Sequence, residues 1–127
     1  MGIFVDKKST FNFSIFVAEL EEKVIAFSNK NDIKKEAENV YELELTFKTP
    51  NYKDNVDITR KAVTSNGLEI NIDPVVLRYE RFISLLKEWK IVKDGKKEVV
   101  EVSKENIDSL NPVVAEMILS ELDILLS

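Results

Sequence analysis

Residues 73–95 read Asp-Pro-Val-Val-Leu-Arg-Tyr-Glu-Arg-Phe-Ile-Ser-Leu-Leu-Lys-Glu-Trp-Lys-Ile-Val-Lys-Asp-Gly, and their periodicity decides the fold expected for the second half of the chain. Asp73 can accept hydrogen bonds from free amides and Pro74 is preset for the first helical position, a strong helix start. Val75, Tyr79, Phe82, Leu86 and Trp89 follow at alternating spacings of four and three, with Val76 and Ile83 widening the stripe. That spacing predicts an amphipathic helix over 74–89. Asp94-Gly95, flanked by Ile91-Val92 and by Val99, Val100 and Val102, reads as a turn between two short extended pieces. Ser103 can cap a short helical turn with Glu105 in its first turn. Asn111-Pro112 repeats the cap-plus-proline device and opens a helix through Val114, Met117, Ile118, Leu122 and Leu125.

Upstream, the period changes. Phe11, Phe13, Ile15 and Val17 alternate with Asn12, Ser14 and Phe16, which predicts a strand from Thr10 to Ala18. Val24 to Phe27 is a second apolar run, and both a hairpin and a helix over 18–27 fit it. Residues 29–39 are polar and read as an exposed loop or short surface helix. Tyr41, Leu43, Leu45 and Phe47 alternate strictly with Glu42, Glu44, Thr46 and Lys48, a strand with one wet face, ended by Thr49-Pro50-Asn51. A helix is expected near residues 55–65, closed by Asn66-Gly67; 68–72 is too short to assign. The expected architecture is an α+β single domain over 1–127. Its strand-rich part, 1–50, is a small N-terminal antiparallel sheet. Its mainly helical part, 51–127, supplies about three helices near 55–65, 74–89 and 112–126.

Composition narrows the chemistry. The 127 residues are 44% hydrophobic and 32% charged, which suits one folded domain with a modest core. Acids outnumber bases by 23 to 18 and leave a net charge of -5, so nucleic acid is not an expected partner. The chain has no Cys and no His, which removes disulfides, thiolate nucleophiles, the commonest metal ligands and the side chain best suited to proton transfer near neutral pH. Neither an enzyme nor a cofactor or metal site is expected. Met1 to Lys8 lacks the apolar run of a signal peptide and no window is long and apolar enough for a membrane span, so a cytosolic protein is expected.

The acids Asp32, Asp54 and Asp57 match no calcium loop and read as turn and cap residues. Gly2, Gly67 and Gly95 lie too far apart to form a phosphate loop. Lys93, Lys96 and Lys97 make a small basic patch, either a solvated turn or a landing site for an acidic partner. The last helix is apolar around more of its circumference than one contact face requires, through Val113, Val114, Ala115, Met117, Ile118, Leu119, Leu122, Ile124, Leu125 and Leu126. A partner or a second copy is therefore expected to cover part of it. The candidate protein-binding residues are Trp89, Met117, Ile118, Leu122, Leu125 and Leu126.

The order of these signals resembles the tail assembly chaperones of long-tailed bacteriophages. Those small acidic proteins carry an amphipathic helix ending near a Trp, a short acidic or glycine turn, a Ser- or Thr-led short helix and a last helix that begins after a Leu and a Pro. The corresponding stretches are residues 78–89, Lys93-Asp94-Gly95-Lys96, Ser103-Lys104-Glu105-Asn106-Ile107 and Leu110-Asn111-Pro112-Val113-Val114. The match covers residues 74 to 127, with Leu43 to Pro50 resembling the family's upstream region more weakly. The resemblance implies a non-enzymatic role in the host cytoplasm: keeping the tape-measure protein soluble and recruiting tail-tube subunits to it, with the chaperone absent from the mature virion. The segment from Met1 to about Asn39 departs from the pattern, and its aromatic strand leaves a structural subunit of a phage tail or head-tail connector as the alternative.

Overall fold

A computed structural model describes residues 2–33 and 37–127 of the chain. Its centre is a five-stranded antiparallel sheet with strand order β2-β1-β3-β6-β7. The strands are β1 (Thr10–Leu20), β2 (Lys23–Phe27), β3 (Glu38–Lys48), β6 (Leu86–Lys93) and β7 (Lys96–Val100). Between β3 and β6 the chain forms α1 (Tyr52–Ala62), a separate two-stranded hairpin of β4 (Val63–Asn66) and β5 (Glu69–Ile72), and α2 (Pro74–Leu85). After β7 come the short α3 (Lys104–Asp108) and the long α4 (Pro112–Leu126). A 3-10 turn, Lys30–Asp32, lies in the polar stretch after β2; residues 34–36 of that stretch lie outside the described residues.

The expected fold needs correction. The sheet is not a small N-terminal one, and the second half is not mainly helical: two of the five strands lie between residues 86 and 100, and α4 is its one long helix. The helix expected over 74–89 stops at Leu85, and the chain continues directly into β6 along β3. The stripe misleads because Leu86 and Trp89, three residues apart, do share one face, but a β-bulge puts them there. Trp89 pairs with Leu45 and Glu88 with Thr46, and then Phe47 pairs with Leu86, leaving Lys87 as the extra residue. A one-residue insertion converts the odd spacing of a helix into same-face spacing on a strand. The backbone groups along the edge of β3 need partners, and a six-pair ladder supplies them.

The helix expected near 55–65 starts earlier. Asn51 accepts from the Asp54 N–H and Asp54 from the Asn51 N–H, a capping box. Asn66-Gly67 does not close this helix: Asn66 ends β4 opposite Glu69, and Gly67-Leu68 makes the turn of the β4–β5 hairpin, with Gly67 at φ 67°. Asp94 and Gly95, both at positive φ, join β6 to β7 with Lys93 opposite Lys96, the two-residue turn that matches strand twist.

One face of the sheet carries Ile15, Leu43, Leu45, Phe47 and Trp89, packed against Ile58 of α1, Phe82 and Leu85 of α2, Ile107 of α3 and Val114, Ile118 and Leu122 of α4. Phe47 stacks against Phe11 and Phe13 at 5.7 and 5.5 Å and meets Phe82 at 6.0 Å. Arg78 ties α2 to α4, its Nε donating to Asp123 at 2.9 Å and its terminal nitrogens to Glu116 at 3.0 and 3.3 Å. The opposite face is polar: Ser14 donates to Glu42 and Lys97 to Glu44, both at 3.4 Å.

Candidate functional site

Phe47 is wholly enclosed at one end of the apolar face, while the other end is covered only in part. At that other end lies a cleft of about 320 Å³, open to solvent. Its floor is sheet: Val17 of β1, Tyr41 and Leu43 of β3, Trp89 and Ile91 of β6 and Val100 of β7. The register puts these side chains on one face, since Val17 pairs with Tyr41, Leu43 with Ile91 and Trp89 with Val100. Its wall is Asn106 of α3, Leu110 of the link between α3 and α4, and Val114 of α4.

Local hydrogen bonds hold that wall. The Glu101 carbonyl accepts from Trp89 Nε1 at 3.0 Å and from Asn106 Nδ2 at 2.9 Å, which pins the link between β7 and α3 to the floor. Ser103 Oγ caps α3 by accepting from the Asn106 N–H, and Asn111 caps α4 by accepting from the Val113 N–H. Tyr79 donates its hydroxyl to Asp108 at 2.6 Å and Lys104 donates to the same carboxylate at 3.0 Å, joining α3 to α2. Those two donors, Tyr79 first, hold the Asp108 carboxyl below its ordinary value, and the same carboxylate raises Lys104. At the rim, Lys93 Nζ lies 4.7 Å from the centre of the Tyr41 ring.

The lining is apolar apart from the Tyr41 hydroxyl and the Asn106 amide. The indole N–H is already bonded to Glu101. A site of this kind binds by removing apolar surface from water, at roughly 25 cal/mol per Å², with the two polar groups orienting what enters. Among the described residues no group of three or more acidic side chains is arranged to hold a metal ion, and no helix is long and apolar enough to cross a membrane.

The six candidate binding residues fall into three environments. Trp89 is 2% exposed and forms part of the cleft floor. Ile118 and Leu122 are wholly enclosed under α4, facing the sheet, and offer no surface to a partner. Met117 and Leu126 are half-buried against the core, and Leu125, in the last turn of the helix, is 49% exposed. The broad apolar circumference of α4 is thus largely taken up by the sheet on one side and α2 near its flank. Of the six, only Trp89 lines the cleft. Sequence reasoning passed over Val17, Tyr41, Ile91, Val100 and Leu110; the alternation through Tyr41 and Leu43 and the valines around Asp94-Gly95 were the signals that pointed to them. In the basic patch, Lys97 is paired with Glu44 and Lys93 is over Tyr41.

No protein-family model matches the chain, and neither does any curated protein or solved structure.

Proposed function

We propose that this protein is a non-enzymatic assembly chaperone of the long-tailed phage type. Its cleft holds an apolar segment of the tape-measure protein, keeping that client soluble in the host cytoplasm while tail-tube subunits are recruited. One observation carries this reading. Three of the four stretches that carry the resemblance contribute to one apolar cleft, Trp89 to its floor and Asn106, Leu110 and Val114 to its wall. A cleft of this size and polarity suits side chains from a partner helix or strand.

The test is co-expression with the tape-measure protein, scoring client solubility and co-purification. Val100 and Leu110 are half-buried at the cleft, so Val100→Lys and Leu110→Lys should each abolish client recovery while far-UV circular dichroism stays unchanged. Undiminished recovery with both folded variants would rule the cleft out.

A second reading, a structural subunit of the tail or head-tail connector, is favoured by the edge of β1. Among the described residues β2 pairs with β1 only from Phe16 to Leu20, so Thr10 to Ile15 offer open backbone groups to a neighbour's strand. Abundant peptides of this chain in purified virions would favour that reading over the chaperone.

A further inference from the structure

The β6–β7 hairpin divides its three lysines between the two faces of the sheet. Lys93 pairs with Lys96, Ile91 with Glu98 and Trp89 with Val100, so strand alternation puts Lys93 and Lys96 on the cleft side. Lys97 is on the other side, where it donates to Glu44. Lys93 is half-buried. Its ammonium sits over the Tyr41 ring and donates to the Tyr41 hydroxyl oxygen at 3.4 Å, and among the described residues no carboxylate lies within ion-pair distance of it. Glu98, the acid on the same face, is exposed to water and bonds neither lysine among the described residues. The corner is left with hydrogens to donate: the hydroxyl keeps its own, and an ammonium has three donors and no acceptor. Deeper in the cleft, Trp89 Nε1 and Asn106 Nδ2 both donate to the Glu101 carbonyl. An apolar cleft with a cationic, donating corner is complementary to an apolar segment that carries an anion.

We propose that the client segment held in the cleft carries a Glu or Asp beside its apolar anchors, and that Lys93 and the Tyr41 hydroxyl receive that carboxylate; this rests on the reading of the cleft as the client site. Spacing supports it. Lys93 lies two residues beyond Ile91 on β6, roughly 7 Å along a strand, and one turn of a helix covers roughly 6 Å in four residues. A helix laid along β6 with an apolar side chain over Ile91 therefore brings an acid four positions away to Lys93. The source of the carboxylate follows from shape. The cleft is open to solvent, whereas sites for free small molecules enclose most of their ligand, so the acid arrives on a segment of a larger partner. Charge gives it a use. The net charge of -5 repels acids in general, and one half-buried lysine at the rim makes a single position attractive. That fixes the register of an apolar contact that has no direction of its own.

The test is co-expression with the tape-measure protein, followed by retention of that client on the immobilised full chain at low and high salt. Wild-type retention should fall as salt rises, because the rim charge is screened. Lys93→Met keeps the aliphatic stem over the Tyr41 ring and removes the charge; it should lower retention at low salt by about tenfold and leave no salt dependence. Lys93→Glu should lower it further. Lys97→Glu makes the same change in net charge on the opposite face and should leave retention unchanged. Acids flanking the client's apolar stretches are then reversed to Lys one at a time, and one reversal should be lost by the wild type and retained by Lys93→Glu. A wild type that retains no client, or retention that survives Val100→Lys and Leu110→Lys, overturns the cleft reading and this inference with it. Retention abolished by Val100→Lys but indifferent to Lys93→Met and Lys93→Glu overturns the acidic register alone. So does Lys97→Glu acting as strongly as Lys93→Glu, or the lack of any client reversal that Lys93→Glu rescues.

Discussion

Phe82 meets Trp89 edge-on, with ring centroids 6.3 Å apart and planes at 84°, although one is near the end of a helix and the other is on the strand that follows it. The contact closes the joint between α2 and β6, where Leu86 ends one element and begins the next with extended backbone. Both rings are 2% exposed, and an edge-to-face pair of this kind adds to the burial of each.

Removing that ring should therefore be costly. Phe82→Ala is expected to destabilise the protein by about 3 to 5 kcal/mol, the transfer loss plus the cavity. Urea melts measure it, and near-ultraviolet dichroism of Trp89 should weaken at the same time. A loss below about 1 kcal/mol would mean that the joint does not depend on this contact.

Two leucines of α4 separate core from surface. Leu122 is enclosed and Leu125 half-exposed, so Leu122→Asp should prevent stable folding, because a carboxylate would be buried without a partner. Leu125→Asp should cost less than about 1 kcal/mol. Equal thermal midpoints for the two variants would refute the orientation of α4.

Acid should weaken the start of α1. Lys48 lies 2.7 Å from the Asp54 carboxylate, and its hydrogen bond, more than that of the Asn51 N–H, holds Asp54 below the ordinary 3.8. A depressed folded pKa gives stability that is fully present above the unfolded value and is lost as pH falls through the folded one. Both side chains are about a quarter exposed, which limits the contribution to roughly 1 kcal/mol. Asp54→Asn keeps an acceptor for the Asn51 N–H and loses the charge. Wild type and variant should differ at pH 7 and converge as pH drops well below 3.8; a gap that persists in acid would discount the ion pair.

The β1–β2 turn carries avoidable strain. Glu21 and Glu22 both sit at positive φ, 52° and 66°, a conformation that costs residues with a Cβ about 1 kcal/mol or more. Glu21→Asn with Glu22→Gly, the pair this turn type favours, should raise stability by about 1 to 2 kcal/mol. An unchanged or lower midpoint would argue that the acids are held there by another contact.

Much of the fold is legible locally. Alternation at Phe11 to Val17 and Tyr41 to Phe47 marks β1 and β3, and the caps at Asp73, Ser103 and Asn111 start α2, α3 and α4 at the residues their side chains imply. Caps and alternation work because each depends on bonds or burial within a few residues. The cleft was legible only at Trp89, since its other walls come from strands adjacent in space and not in sequence.

The sequence by itself determined where α2, α3 and α4 begin, where the Asp94-Gly95 turn falls and which residues are apolar enough to be buried. The tertiary structure alone decided where α2 ends and what α4 covers. Leu86 and Trp89 satisfy both a helical period and a bulged strand, and the tie is broken by the ladder β3 offers, a partner some forty residues upstream. Val114, Ile118 and Leu122 face that same sheet, so an apolar circumference that suggested an exposed surface on a helix alone becomes core once the sheet beneath it is complete.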